Sequence, residues 1–256
     1  MNLIFRQTEI LYALIVRDMM VRFGRQNLGF VWTILEPMIL TSGVMLIWSL
    51  IKEPIVHGIP VIAFVMTGYL PLTMNRHLSS GTTALLRSQG GLLYHAPITH
   101  VHIMMARLIL EFLSTSMALM VVYFIVVSTG LIEPMANPGI ALAGWLLCAW
   151  HFGAIAVLLG VLTEYWEPLE KFIQPYQYLQ LPISGVFFMV DWMPSYAQTL
   201  LMWNPSVSVY EMFRAGFFGE EIVTHYDVSY LILVTAGITV VAAIALVNVR
   251  PHLDLH

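Results

Sequence analysis

The chain has 256 residues, of which 59% are apolar and only 10% charged, and its mean hydropathy is +0.79. A soluble domain usually carries about 25% charged residues. The 11 basic and 15 acidic residues therefore cannot supply the charged surface of a soluble protein. The net charge of −4 argues against a nucleic-acid partner. The single cysteine, Cys148, excludes an intramolecular disulfide and, within an apolar run, is expected to be buried.

Apolar runs long enough to cross a bilayer recur along the chain. A membrane-spanning helix requires about 20 consecutive apolar residues. The sequence therefore predicts an all-α membrane protein in which residues 1–256 form a single transmembrane domain with six transmembrane helices. Their predicted ranges are 31–51, 59–78, 103–129, 139–163, 169–190 and 228–249. Charges recur through the first 25 residues, so no cleavable signal peptide is expected and the first span itself would direct insertion.

The distribution of Lys and Arg predicts the orientation, since cytoplasmic loops carry an excess of these residues. With the N-terminus inside, nine basic residues fall on the cytoplasmic side and two, Lys52 and Arg214, on the outer side. Both termini are therefore expected to be cytoplasmic. The nine inner residues are Arg6, Arg17, Arg22, Arg25, Arg76, Arg87, Arg107, Lys171 and Arg250.

Two cytoplasmic segments are predicted to form helices that do not span. Residues 4–25 have the spacing of an amphipathic interfacial helix with one basic face, which favours the headgroup plane. The alternative is an ordinary N-terminal helix packed on the bundle. In residues 85–100, Gly90-Gly91 and Ala96-Pro97 bracket a short apolar stretch. Exposed leucines there would dock to a protein partner; the alternative is a hairpin folded back on the bundle.

The outer segment 191–227 is too apolar for an ordinary loop. It contains two half-length apolar pieces that meet at Asn204-Pro205, which predicts a re-entrant helical pair before the last span. Within it, Glu211 and Arg214 stand three residues apart on one helical face and are expected to pair.

Two stretches resemble a known family. Residues 22–37, RFGRQNLGFVWTILEP, resemble the entry motif of type 2 ABC-transporter permeases. More narrowly, they are similar to the permeases that export capsular polysaccharide, O-antigen and teichoic acid. Residues 203–219, WNPSVSVYEMFRAGFFG, resemble the block before the last span of these proteins. The two motifs together are fairly specific, and the resemblance runs from near residue 4 to the C-terminus, with the capsular polysaccharide branch as the nearest match.

The resemblance implies a bacterial inner-membrane exporter. Two copies of the chain would form the channel as a homodimer, and six helices are also too few to enclose a polymer path alone. Each copy would bind one separate ATPase subunit, which would hold ATP and Mg²⁺; no cofactor is expected in this chain. A periplasmic co-polymerase-type adaptor and an outer-membrane polysaccharide channel would complete the route. The residues implied to couple ATP hydrolysis to opening are Arg17, Arg22, Leu92, Leu93, Tyr94 and His95.

A polymer that slides through a pore should be held weakly at many points, as ions are in multi-site channels. Aromatic rings can stack on the C–H faces of sugars, although many Trp and Tyr residues near span ends are interface anchors. The aromatic candidates for the path are Trp32, Trp48, Phe172, Tyr176 and Tyr178. Glu36, an ionisable group inside the first span, is a further candidate; the alternative is that it pairs with an arginine such as Arg25.

Three other interpretations remain open at this stage. A permease of the same fold could export O-antigen, teichoic acid or a small amphipathic substrate. An intramembrane enzyme would need a serine nucleophile and a histidine base, for which only Ser184 and His151 are plausible, and no G-x-S-x-G is present. The cluster His95, His100 and His102 lacks the companions of a metal site. The sequence also lacks a G-x-x-x-x-G-K-[ST] motif, so ATP hydrolysis by this chain is not expected.

Overall fold

A computed structural model describes residues 3–23, 28–94 and 98–249, and these residues are predominantly α-helical. A two-stranded antiparallel hairpin, β1 (Ile55–Val56) and β2 (Ile59–Pro60), follows the second helix. Short 3-10 turns occur at Gly90–Tyr94, Glu167–Leu169, Val190–Trp192 and Gly219–Glu221. The described α-helices, in chain order, are α1 (Leu3–Phe23), α2 (Leu28–Ile51), α3 (Val61–Thr82), α4 (Leu85–Ser88), α5 (His100–Ser128), α6 (Pro138–Tyr165), α7 (Glu170–Gln180), α8 (Ser195–Leu201), α9 (Pro205–Phe218) and α10 (Val228–Asn248).

Four of the described helices are long and apolar enough to cross a membrane. They are α5, α6, α10 and the Ile34–Ile51 part of α2. They occupy the positions of the predicted spans 103–129, 139–163, 228–249 and 31–51. The architecture is therefore that of an all-α membrane protein. Much of the surface of α2 and α10 is exposed and apolar, as lipid-facing or partner-facing helices require.

The central helix of the bundle is α3, at the position predicted for the span 59–78. It packs against α2, α5, α6 and α9 and is buried along most of its length. It is less apolar than the four helices above, because protein rather than lipid surrounds it. Its buried hydroxyls bond to backbone carbonyls: Thr67 Oγ1 donates to Ala63 O at 2.9 Å, and Thr82 Oγ1 donates to Ala156 O of α6 at 2.7 Å.

The prediction of one continuous helix over 169–190 is wrong. Helix α7 ends at Gln180, and its 11 residues extend only about 16 Å at roughly 1.5 Å per residue. Residues 181–189 lie outside regular helix. Pro182 stops the helix because it lacks an N–H, and Gly185 adopts a left-handed conformation with φ of 92°. Hydropathy suggested a span here because residues 181–190 are largely apolar. That irregular part is mostly buried, whereas most of α7 is exposed.

The predicted segment 191–227 contains two short helices, α8 and α9, whose break falls at Asn204-Pro205. Asn204 caps α9, since its Oδ1 accepts the Ser206 N–H at 3.1 Å, and Pro205 is the first helical residue. Helix α9 is buried from Ser206 to Phe217, whereas α8 is largely accessible. The two halves therefore differ: α9 belongs to the core and α8 to the surface.

Glycines allow α6 and α9 to approach closely. A Cβ atom added at Gly216 would lie 2.2 Å from Ala141 N, and one at Gly144 would lie 2.9 Å from Phe213 Cα. Small residues are the usual means by which helices in membranes bring their backbones together. The contact holds α9 against the bundle and fixes its position along α6.

Replacing Gly216 with alanine should separate α6 from α9. Overpacking of this kind costs about 1–3 kcal/mol, so the purified G216A variant should unfold at a lower temperature. Gly237→Ala is the matched control, because Gly237 lies in α10 and has no atom within 4 Å of an added Cβ. Thermal unfolding in detergent measures the difference, and equal midpoints for the two variants would contradict this packing.

Candidate functional site

Two charged residues of α9 bind the irregular segment 185–190. Arg214 Nη1 donates to the carbonyls of Gly185 at 2.7 Å and Phe188 at 2.8 Å, and Nη2 donates to Val186 O at 2.7 Å. Glu211 accepts the N–H of Val190 at 3.1 Å. These carbonyls and N–H groups belong to non-helical backbone, which must find partners when it is buried.

Glu211 and Arg214, which the sequence expects to pair, act on each other electrostatically. Their direct hydrogen bonds go to backbone groups: Arg214 binds the three carbonyls named above, and Glu211 also accepts the His225 N–H at 2.9 Å. Both side chains are fully buried. The Arg214 Cζ also lies 4.3 Å from the centroid of the Phe64 ring, a cation–π contact.

The residues of the predicted re-entrant motif therefore act together. Asn204 Nδ2 donates to Ile183 O at 2.9 Å, extending the contacts that Glu211 and Arg214 make. Gly68 of α3 lies against the same turn, since an added Cβ would be 2.5 Å from Val186 O. We call these contacts, made by Asn204, Glu211 and Arg214 to residues 183–190, the α9 clamp. It fixes the end of α7 to the core.

The aromatic path candidates fall into two groups. On α2, Trp32 is exposed, while half-buried Trp48 stacks on Phe187 with ring centroids 5.9 Å apart. On α7, Tyr176 and Tyr178 are exposed. The Tyr178 ring has the Arg76 Cζ 5.3 Å from its centroid.

The last aromatic candidate, Phe172, is exposed near the start of α7 and stacks on Trp166 with centroids 6.4 Å apart. The α7 surface also carries amides, including Gln180, whose Oε1 accepts from Asn75 Nδ2 of α3 at 3.0 Å. Aromatic rings and amides thus alternate on an accessible surface. Such a surface can contact sugars through ring stacking and hydrogen bonds.

Glu36 is half-exposed, with 50% of its side chain accessible, and lies at the end of a polar chain. His77 Nε2 of α3 lies 3.9 Å from Glu36, and His77 Nδ1 lies 3.6 Å from Glu111 of α5. Glu111 is 3.1 Å from Arg107 Nε. The chain therefore runs from the surface of α2 into the bundle, and the described partner of Glu36 is His77; Arg25 lies outside the described residues.

Helix α1, which the sequence predicts to be interfacial, contacts the loop that follows α3. Gln89 Nε2 donates to Asp18 Oδ1 at 3.3 Å, and Arg17 Nη1 donates to Gln89 Oε1 at 3.3 Å. Leu14 and Asp18 are buried, whereas the opposite side of α1 exposes Tyr12 and other large apolar residues. One face of α1 thus packs on the bundle, and the other is accessible.

The apolar residues expected at the tip of the cytoplasmic loop are only partly exposed. Leu92 and Leu93 are half-buried and pack against a cluster that includes Leu86 and Val161. Their full exposure is therefore a wrong prediction, because the loop folds back toward α5 and α6. His95 lies outside the described residues, as do the side chains of Arg22 and Tyr94.

Arg87 of α4 joins two loops. Its guanidinium pairs with Glu167 and Glu170 at the start of α7, and its Nε lies 3.8 Å from Glu164 at the end of α6. Glu164 Oε1 also accepts the N–H groups of Leu86 at 3.1 Å and Arg87 at 3.2 Å. An anion at a helix N-terminus stabilises the first turn. We call Arg87 and the three glutamates the loop tie.

Sequence reasoning missed the loop tie, Gln89, His77 and Glu111. Their partners lie far away in the chain, so no local spacing signals the contacts. The alternative nucleophile and base are not brought together: His151 Nδ1 bonds to Thr235 Oγ1 at 2.9 Å and its Nε2 to Ser206 Oγ at 3.3 Å, rather than to Ser184. His151 is fully buried, so it is a structural residue of the core.

Comparison with known proteins defines the class of protein. Residues 9–218 match the model of the ABC-2 type transporter family. This match covers most of the chain, including both motifs of the re-entrant and entry regions. The chain therefore belongs to the ABC-2 type transporter family, whose relatives here are transport subunits rather than enzymes.

Individual proteins of known name are also similar to this chain. The capsule polysaccharide export inner-membrane protein CtrC of Neisseria meningitidis serogroup B is 31% identical over 227 residues, 89% of this chain and 86% of that protein. The capsule polysaccharide export inner-membrane protein BexB of Haemophilus influenzae is 30% identical over the same shares. The polysialic acid transport protein KpsM of Escherichia coli is 24% identical over 93% of this chain and 92% of its own length.

Removing the charge of Arg87 should loosen the loops that the loop tie joins. Arg87→Gln leaves three carboxylates without their shared cation, and a partly exposed ion pair contributes about 0–1 kcal/mol. Hydrogen exchange of the peptide spanning 84–91 should therefore quicken by up to about fivefold. Arg76→Gln, which removes the cation over Tyr178, is the control and should leave this peptide unchanged. Unchanged exchange in R87Q would refute the role of the loop tie.

Proposed function

We propose that this chain is the permease subunit of an ATP-driven exporter that moves capsular polysaccharide, in lipid-linked form, from the cytoplasm across the inner membrane. The observation that carries the proposal is identity of about 30% to CtrC and BexB over 86% of their lengths. Such coverage extends over most of the chain rather than over a shared motif. The chain therefore offers the same set of helices for the same task.

The energy would come from a separate ATPase subunit. The sequence contains no P-loop. Arg17 of α1 and the accessible parts of the half-buried Leu92 and Leu93 would belong to the docking surface. In the proposal, α1 and the 85–100 loop receive the ATPase, and the loop tie transmits its movement to α6 and α7. Two ATPase subunits, one for each permease copy, bind ATP and Mg²⁺. No step of hydrolysis involves a residue of this chain.

The polymer path would lie where α2 and α7 expose their rings. Because the long apolar helices of one chain are too few to enclose a polymer, a second copy of the chain would supply the other wall. The exposed apolar surface of α2, including Trp32, Leu46 and Ile47, needs lipid or a partner to cover it. Weak contacts to Tyr176 and Tyr178 would let the polymer slide without being trapped.

The proposed complex is oriented with both chain termini in the cytoplasm. The loop tie and α1 then face the ATPase, and the β-hairpin and α8 face the periplasm. Arg214 lies buried in α9 and so belongs to no loop, which strengthens the bias of basic residues toward the cytoplasm. A periplasmic co-polymerase-type adaptor and an outer-membrane channel would receive the polymer.

A second candidate is export of O-antigen, teichoic acid or a small amphipathic compound by the same fold. The accessible rings and amides of α7 do not by themselves distinguish capsular polysaccharide from these other substrates. The coverage of capsule-export relatives favours capsular polysaccharide. An intramembrane enzyme is disfavoured because His151 is buried away from any accessible serine.

Deleting the gene should leave capsular polymer inside the cell, and the wild-type chain should restore it to the surface. Glu36→Gln should insert normally but reduce surface polymer by several fold, because the carboxylate at the path is lost. Glu133→Gln, at an exposed carboxylate between α5 and α6, is the matched control. Immunoblots of surface and internal polysaccharide measure both. Unchanged surface polymer after deletion would overturn the proposed function, and normal export by E36Q would remove the role of that charge.

Cysteine accessibility tests the orientation. Cys148, the one cysteine of the chain, is fully buried, so the native protein should not react with a membrane-impermeant maleimide. Glu53→Cys should react in right-side-out vesicles, whereas Ser88→Cys should react only after permeabilisation. The reverse pattern would contradict cytoplasmic termini.

A further inference from the structure

A polar notch separates the cytoplasmic end of α3 from α7. It has a volume of about 320 Å³ and is lined by Ser80, Thr83, Glu170, Ile173, Gln174 and Gln177. Ligand pockets begin near 300 Å³, so the notch has room for one small unit rather than a length of polymer. Five of its six lining residues are polar.

Gln177 lacks the partners that a buried amide requires. Only 9% of the residue is accessible, and its Nε2 is buried without a hydrogen bond among the residues that the structure describes. Burying an amide without a partner costs about 1–3 kcal/mol. A half-turn of the amide exchanges its donor and acceptor ends, so Gln177 can present either to a ligand in the notch.

The other lining groups complement this amide. Ser80 Oγ donates to Arg76 O at 2.7 Å, and Thr83 Oγ1 donates to Ser79 O at 2.8 Å. Each hydroxyl oxygen therefore keeps acceptor lone pairs. Gln174 is exposed at the rim and offers both a donor and an acceptor. Such a set matches the hydroxyl groups of a sugar, which donate and accept hydrogen bonds without carrying charge.

We propose that the notch is a sugar-binding subsite that holds one hydroxyl-rich ring of the exported polymer at the cytoplasmic entrance, with Gln177 as its main hydrogen-bonding residue. This inference rests on the proposed export function and specifies where the polymer is first recognised. Recognition relies on hydrogen bonds rather than ion pairing, because the charged lining residue, Glu170, already pairs with Arg87.

The notch also adjoins the loop tie. Glu170 belongs to both, and Thr83 directly precedes Ala84, whose N–H bonds to Thr163 Oγ1 at 3.2 Å. A sugar in the notch would therefore contact the hinge between α3 and α4 and the glutamate that holds Arg87. Through these contacts alone, binding of a sugar in the notch would change the environment of the cytoplasmic loop.

Gln177→Met separates a ligand-binding role from a structural one. Methionine keeps the length of the side chain and removes the amide. Because Gln177 has no partner to lose, the thermal midpoint of the variant should be equal to or higher than that of the native chain. Gln180→Met is the matched control: it breaks the bond with Asn75 and should lower the midpoint.

The test uses photo-crosslinking in capsule-producing cells. The full chain carries p-benzoylphenylalanine at Lys171, one helical turn before Gln174, or at Tyr178 as a probe of the path. After irradiation, the photo-reactive residue is expected to capture the cell's own polymer. Carbohydrate staining of the purified chain detects the adduct. We expect adducts at both positions, and Gln177→Met should reduce the Lys171 adduct at least fivefold and lower export, with the thermal midpoint maintained.

Other outcomes separate the two proposals. A Tyr178 adduct with no Lys171 adduct, or with a Lys171 adduct that Q177M leaves unchanged, overturns the subsite while the export function stands; the notch then holds water only. Loss of stability and export together in Q177M also overturns it, since Gln177 would be structural. Absence of carbohydrate at both positions overturns the subsite and the export function.

Discussion

The fold depends on how the bundle satisfies the backbone of residues 183–190. This stretch is irregular, much of it is buried, and in a membrane protein its carbonyls cannot rely on water. Arg214 donates to three of them and Glu211 accepts the following N–H, both from within fully buried α9. Removing either side chain would leave its buried backbone partners unsatisfied, at a cost of about 1–3 kcal/mol for each group.

The α9 clamp also limits the length and position of α7. Held at its C-terminal end by the clamp and at its start by the loop tie, α7 is a short helix lying between the loop tie and the core. Its length leaves rings and amides accessible instead of placing them against lipid. The same element therefore joins the loop tie to the polar notch and to the exposed rings of Phe172, Tyr176 and Tyr178.

Sequence reasoning worked where the signal was local. The apolar runs of α2, α5, α6 and α10 were visible, as was the break at Asn204-Pro205, because hydropathy and Pro depend on neighbouring residues alone. It failed at 169–190, where the exposed α7 ends at Gln180 and the apolar stretch around Pro182 and Gly185 is irregular and mostly buried. It also failed for Arg214, Gln89 and Arg87, whose partners come from distant elements. The roles of Trp32, Tyr176 and Tyr178 in a path stay predictions, since aromatic residues serve lipid interfaces equally well.

A transport assay in membrane vesicles tests most directly the central claim that this chain carries capsular polymer across the membrane. Inverted membrane vesicles that contain this chain and its ATPase subunit expose the cytoplasmic side to added lipid-linked capsular polymer. The account predicts that polymer becomes protected inside the vesicles when ATP is supplied, and that vesicles with the ATPase alone accumulate none. Equal protection with and without this chain, or accumulation without ATP, would contradict the account.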